Sequence, residues 1–490
     1  MTSTELVEQI LGVVAKQLPH TLGALANEQR LRLAGLESFV RSLCVEMLEG
    51  TWRLIGQYLD AEAECQARVC RCGKRCEARS DDIAIKVLGA TVRFGCKYFY
   101  CRCCRMGQSP VRRWLGLEHG GASLLLERAL SDLTERMTFG DAVDSLLEQQ
   151  GQSIDRTQAE RITYRVCDEA EAYLAQRRSQ ALAGLEREQR SVGVERLQLT
   201  ADGGIVPVGK LERPAQADSR ACTPVRQLPK GTRSIQGREA RLIIVREPHK
   251  VTERQVDCHI APYNHSEFTG ERMLAAAAQA GLGDDTKIHG VFDMGSWISS
   301  QFQEQFASYP HSACADICHV THYLTDAGRE IVGEQQAARF GMEHKQHMLA
   351  GDVELVSERL AQHRCHAGCL RDDHAECLVR VAERYLRNHR DYLDYPPIVA
   401  QELPVGSGEA ESGVRHLLHK RLDVAGAWTE NNARRMLAII SIRASGCWDD
   451  FWRWRDCKDR QRWQQRQNGA LRSRFRGSPR VQQPKAPPPN

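Results

Sequence analysis

Leu6, Ile10 and Val13 recur at helical spacing near the start of the chain, and Leu36, Val40 and Leu43 repeat the pattern. Residues 1–68 are therefore predicted to be helical. The period then shortens. Within 69–114 two apolar runs, IAIKVLG and ATVRFGCKYFY, read as strands with cysteines at both ends. Residues 115–193 return to a charged helical pattern, as in LLLERALSDLTERM and AEAYLAQRRSQALAGLEREQR, and Gly193 marks its end.

From 194 to 323 strands and helices alternate. Leu197, Leu199 and Ala201 share one face of a strand that runs into Asp202, RLIIVR (241–246) is a buried-type strand, and Val256, Cys258 and Ile260 alternate in a third. GERMLAAAAQAGLG is a helix with a glycine stop. KIHGVFD (287–293) is a fourth strand, and WISSQFQEQFA a helix with Trp297, Ile298, Phe302 and Phe306 inward. SACADICHV (312–320) reads as a fifth strand. Three strands, helix, strand, helix, strand is the order of an RNase H-like core. Residues 324–397 form a helical insertion, and 398–452 complete the core with a helix at 409–422. The predicted fold class is multidomain α+β, with helical segments and a zinc-ribbon-like module ahead of that core.

Composition narrows the setting. A chain of 490 residues with 42% apolar content can hold several cores. No run of 18 uncharged apolar residues predicts a membrane span. The start, MTSTELVEQI, lacks a basic-then-apolar leader, and with 19 cysteines the expectation is a cytoplasmic protein with reduced thiols. The overall charge of +4 is unevenly spread. Residues 453–490 hold eleven Lys/Arg against two Asp, a local +9 that leaves −5 for the remainder. This Gln- and Pro-rich tail, with Arg472, Arg474 and Arg476, reads as a disordered arm for a polyanion.

Two groups of residues carry candidate chemistry. Cys70 and Cys72 on one turn and Cys101 and Cys104 on another can converge on a tetrahedral Zn²⁺, with Cys76 and Cys103 as alternatives. Arg93, Lys97, Arg102 and Arg105 on the same module could face DNA. A second cluster, Cys365, His366, Cys369, His374 and Cys377, has spacings compatible with zinc but no turn-rich frame. The other group is acidic. Cutting a phosphodiester with two Mg²⁺ (or Mn²⁺) ions needs three or more carboxylates at strand ends or on a facing helix. Asp202 and Asp293 end the first and fourth strands, and Glu411 opens the helix after PVGSGEAES. With Val414, Leu417, Leu418 and Leu422 as the buried stripe, Glu411 falls within about 45° of its centre and Glu409 on the far side.

With those residues in view, the chain resembles the insertion-sequence DDE transposases of the Kra-type group, relatives of the Mutator-like transposases. The resemblance rests on the cysteine module CRCGKRCEARSDDIAIKVLGATVRFGCKYFYCRCCRMGQSPVRRWLGLEHG, on TADGGIVPV and FDMGSWI, on YLRNHRDYLDYPPIVAQELPVGSGEAES, and on AWTENNARRMLAIISIRASGCWDDFW. It implies Asp202, Asp293 and Glu411 as the catalytic triad. It also matches Asp316 and His319 to a D/C-x₂-H element, leaving Asp316 as an alternative second ligand. Met294 stands where the family commonly has glycine, and RRW after Pro110 also departs from its pattern. The implied activity is Mg²⁺-dependent cleavage and strand transfer. Its partners would be terminal inverted repeats and target DNA, bound by a homo-oligomer near the bacterial nucleoid. A non-catalytic DNA-binding regulator and a nuclease of the same fold are the alternatives.

Overall fold

The computed structural model describes residues 33–70, 72–117, 121–186, 193–212, 232–262, 265–363, 377–423 and 428–475, together with 5, 7–12 and 15. The chain divides into two compact units. One comprises Met1–Val166 with Trp452–Asn490, and the other Cys167–Phe451.

In the first unit, helix α1 (Leu33–Ala67) lies on a sheet of β1 (Glu77–Val87), β2 (Ala90–Cys101) and β3 (Met106–Gln108). Alternation decides the sheet's faces. Ile83, Ile85 and Val87 of β1 and Val92, Phe94 and Cys96 of β2 are buried, joined by Trp52, Leu59 and Ala63 of α1. The helices α2 (Pro110–Trp114), α3 (Leu124–Arg136) and α4 (Phe139–Gln150) follow, and then α5 (Arg156–Leu185), which belongs to this unit up to Val166 and to the second from Cys167. Leu126, Leu130, Leu146, Ile154, Ala159 and Ile162 form a second small core.

The second unit is built on β4 (Arg196–Glu212), β5 (Thr232–Arg246), β6 (Arg254–Ile260), β7 (Lys287–Phe292) and β8 (His311–Ala315). Their spatial order is β6-β5-β4-β7-β8. The first three strands pair antiparallel, and β7 and β8 run parallel to β4. Helices α6 (Glu267–Gln279) and α7 (Ser296–Phe306) make the two connections to the parallel strands. Met273, Ala276, Phe302 and Phe306 are buried with Leu197, Leu199, Ala201, Ile243 and Val245. Then come α8 (Ile317–Ile331), α9 (Glu334–Ala350), α10 (Val353–Gln362), α11 (Leu378–Asn388) and α12 (Pro396–Ala400).

Next, α13 (Gly408–Gly413), a wide π-helical turn (Val414–His419) and α14 (Lys420–Leu422) form one helical stretch. It approaches the sheet at glycines. A Cβ on Gly204 would stand 2.7 Å from Val414 Cγ1, and one on Gly413 2.5 Å from Leu242 Cδ2. Helix α15 (Glu430–Ala444) covers the free edge of β6, with the Ser441 hydroxyl accepting the Cys258 N–H and Ser445, just beyond the helix, accepting that of Val256. Helix α16 (Trp448–Phe475) ends the described chain, its residues from Trp452 on belonging to the first unit.

Two expectations need correction. The fifth strand stops at Ala315, because Asp316 turns the chain and caps α8, accepting the Cys318 N–H at 2.8 Å. Residues 453–475 are helical rather than a disordered arm. That stretch has no proline and a single glycine, and it pairs Arg460 with Asp456 and Arg462 with Asp459 along the helix. Arg476 and the rest of 476–490 lie outside the described residues, as do the side chains of Arg472 and Arg474.

Candidate functional site

The β4–β7 register ends at the pair Ala201↔Phe292. Asp202 and Asp293 are each the next residue, so they stand side by side. Asp293 follows the end of β7, whereas β4 does not stop at Asp202 as expected but runs on to Glu212, paired there with β5 and no longer with β7. Paired positions point to one face, here the face of Thr200 and away from Ala201. The Gly203 N–H donates to Asp202 Oδ1 at 2.7 Å, and the Gly295 N–H to Asp293 Oδ1 at 3.0 Å. Burial raises the Asp202 carboxyl above the usual carboxylate range. The Gly203 N–H opposes the rise, the Asp293 charge adds to it, and weaker effects come from His319 and Glu411. The three carboxylates therefore share one electrostatic field.

The buried stripe on the Glu411 helix is Ala410, Val414, Leu418 and Leu422, a four-residue repeat carried through the π turn, and Leu417 is only half-buried. Projection at a uniform 3.6 residues per turn misses this. Glu409 and Glu411 flank Ala410 on opposite sides. Glu409 turns toward Arg246 at 2.7 Å and Arg254 at 3.0 Å. Glu411 is exposed on the side of Asp202.

Behind the rim, Asp316 is completely buried and faces three donors. Its Oδ1 takes the Cys318 N–H, and its Oδ2 takes the Ser407 hydroxyl at 2.6 Å and the His319 Nδ1–H at 3.2 Å. Burial pushes Asp316 up, but the bonds from His319, Ser407 and Cys318 outweigh it and hold the carboxyl below its ordinary value. The hydrogen bond to Asp316 raises the His319 pKa against burial, and the charges of Asp293 and Asp202 add to it. Ser407 precedes the Glu411 helix, so Asp316 ties that helix to His319. The Tyr385 hydroxyl donates to the Asp293 carbonyl at 3.3 Å. Neither Ser407 nor Tyr385 is singled out by sequence reasoning. Ser407 carried a helix-start signal, and Tyr385 had none.

The cysteines converge as a second centre. The Sγ atoms of Cys70, Cys72, Cys101 and Cys104 all lie within 4.8 Å of one another, the one such His/Cys/Asp/Glu group among the described residues. Two tight turns place them. The Gly73 N–H donates to Cys70 O within the first, and Arg105, at φ 54°, follows Cys104 before β3 pairs back on Cys101. The Cys104 backbone N–H, first among several donors, lowers the Cys101 thiol to about 7. Four soft sulfurs so arranged could hold zinc. Cys76 and Cys103 stand outside the group. In the insertion Cys377 is buried and bonded to Glu330, while Cys365, His366, Cys369 and His374 lie outside the described residues.

Of the basic candidates on this module, Lys97 is committed to Glu64 and Asp60 of α1, and Arg102 to Glu77. Arg93 and Arg105 are exposed. Among the described residues no helix is long and apolar enough to cross a membrane. Neither a protein-family model nor a curated protein matches the chain.

Proposed function

We propose that the chain is a DDE transposase of the Kra-type insertion-sequence group, with an RNase H-like catalytic core. The observation that carries this reading is the register that sets Asp202 and Asp293 side by side, with Glu411 within electrostatic reach of Asp202. Further support comes from the strand order, which in chain numbering within the unit is 3-2-1-4-5 with the first three strands antiparallel. Three hard oxygen donors on one open rim suit Mg²⁺ or Mn²⁺, which when bound would activate the attacking oxygen and stabilise the leaving one. Asp202, Asp293 and Glu411 would hold those ions. Asp316 and Ser407 would fix the Glu411 helix, and His319 would present Nε2 to the rim. The nucleophiles would be water and then the liberated 3′-hydroxyl, attacking phosphodiesters in line. Double-stranded DNA, at element ends and target, is the partner, and two ends imply a homo-oligomer.

The test is a set of charge-neutral variants, Asp202→Asn, Asp293→Asn and Glu411→Gln, on DNA flanking the coding region. Each should lose Mg²⁺-dependent cleavage, by at least about 100-fold, and keep end binding. Cleavage without joining of the 3′ end to target DNA would favour a nuclease. Binding with no cleavage by the unaltered chain would favour a regulator.

A further inference from the structure

Three aromatic rings gather beside Asp293. Tyr323 of α8 and Tyr385 of α11 stack with centroids 4.3 Å apart and planes 27° from parallel. His389, at the end of α11, lies 4.7 Å from the Tyr385 ring at a tilt of 59°. Tyr385, which touches both other rings, is buried, while Tyr323 and His389 are half-buried. The Tyr385 hydroxyl donates to the backbone carbonyl of Asp293, so the stacked pair is fastened to the strand end that carries that carboxylate. His389 is also within electrostatic reach of Asp293. Tyr323 lies one helical turn beyond His319, which puts both on the same side of α8.

Leucines would have filled this space without orienting anything. A hydroxyl committed to the Asp293 main chain, with two partly open rings around it, instead holds flat π surfaces at a set position relative to the rim. Flat π surfaces of this kind accept nucleobases whatever their sequence. An in-line attack needs its phosphate placed to a fraction of an ångström, and a neighbouring base stacked on protein is one way to fix it.

We propose that Tyr323, Tyr385 and His389 form a stacking platform for the nucleobase next to the phosphodiester held at Asp202 and Asp293. This inference rests on the DNA-cleaving reading above. Tyr323 offers the outer face, Tyr385 sets its angle from below, and His389 packs beside Tyr385. The base that stacks must leave its own neighbours in the duplex, so distorted or unpaired ends should be favoured substrates.

The experiment crosses protein variants with DNA variants, using the full chain and duplexes from the DNA flanking its coding region. Tyr323→Leu keeps bulk without a π face, and Tyr323→Phe keeps the face. Abasic sites are placed in turn along the duplex. At one position the unaltered protein should lose cleavage on the order of 10-fold. Tyr323→Leu should lose a similar factor on intact DNA and little more on the abasic duplex, because the same stacking is already missing. Tyr323→Phe should restore the abasic penalty. Losses that multiply, or a Tyr323→Leu protein indifferent on intact DNA, would overturn the platform. A second reading needs no cleavage. With 2-aminopurine placed in turn along the duplex, the unaltered protein and Asp202→Asn should change its emission at the same position, and Tyr323→Leu should not. That signal without any Mg²⁺-dependent cleavage would sink the transposase reading and leave the platform standing. Cleavage without the signal would do the reverse.

Discussion

Met294 follows Asp293 with φ at +65°, in the left-handed region that non-glycine residues enter only at a cost. Its side chain is only 4% exposed and belongs to the main core. Two effects oppose each other here. The backbone would gain about 1 kcal/mol from glycine, whereas emptying the side-chain site costs about 2–5 kcal/mol. Met294→Gly should therefore be less stable than the unaltered chain. Met294→Ala keeps the backbone penalty and empties the site almost as fully, so it should be about 1 kcal/mol less stable than the glycine variant. That order reverses the one found in helices and strands. Urea unfolding of both proteins checks it, and an alanine variant the more stable of the two would show that the backbone at 294 is relaxed. At this scale Asp293 was legible as the end of an apolar run, whereas Asp202 was read as a strand end and lies inside β4, because the apolar alternation resumes after Gly203 and Gly204. Asp316 was picked out as a candidate, but its partner Ser407 and the bond from Tyr385 to Asp293 were not legible. Asp316 meets Ser407 91 residues on and Tyr385 meets Asp293 92 residues back, and no local pattern encodes pairings at that separation.

Among elements, the join of β6 to α6 and α5 rests on charge. Asp257 of β6 accepts from Arg272 of α6 at 2.7 Å, from Arg178 of α5 at 3.4 Å and from His259 at 2.8 Å. Burial alone would raise Asp257, but these three partners outweigh it and hold the carboxyl far below its ordinary range. Burial pushes the neighbouring His259 down to about 4. An unfolded histidine takes up a proton near pH 6.5, so between about 4 and 6.5 the unfolded chain binds a proton that the folded chain refuses. Stability falls as pH drops through that window. The depressed Asp257 acts in the same direction, its contribution being lost below the unfolded carboxylate value of about 3.9. Melting curves near pH 7 and pH 5 should show a smaller acid-induced drop for His259→Gln than for the unaltered chain, and equal drops would remove His259 as the cause. The cysteine module makes a separate prediction. The protein should carry about one zinc, lost with local unfolding of 69–110 in the Cys101→Ser, Cys104→Ser double variant. Metal analysis and limited proteolysis read both, and full zinc content in that variant would move the site to Cys365–Cys377. The two cysteine turns could be read in sequence because C-x-C and C-x₂-C spacing sets turn geometry directly. The π turn could not, because Val414, Leu417, Leu418 and Leu422 fit an ordinary helix equally well.

At the scale of the whole chain, the succession of strands and helices along 194–323 followed from the alternation of apolar runs with helical ones, whereas the grouping of Trp452–Asn490 with Met1–Val166 did not. That grouping includes an ion cluster around the buried Glu127, which meets the half-buried Arg165 and, 328 residues away, the buried Arg455. Trp452 and Arg455 are buried and belong to the fold, and the basic arm begins only beyond them. Removing residues 456–490 deletes nine of the eleven terminal Lys and Arg residues while leaving that cluster in place. A helix rich in Arg and Lys, held in part by its own Asp456 and Asp459 pairs, offers charge along phosphates but no donor pattern matched to base edges. The truncated protein should therefore bind all DNA more weakly and keep its preference for an element end. For every phosphate that the arm no longer neutralises, the slope of log K against log salt should shrink by roughly 0.9. Arg460 and Arg462 are partly engaged by their helical partners, so the change should fall short of that for nine phosphates. Binding of both proteins to an end duplex and to random DNA across a salt series measures slope and preference together. An unchanged slope, or weakening confined to the end duplex, would make the arm a sequence reader or a bystander instead of a general grip on the backbone.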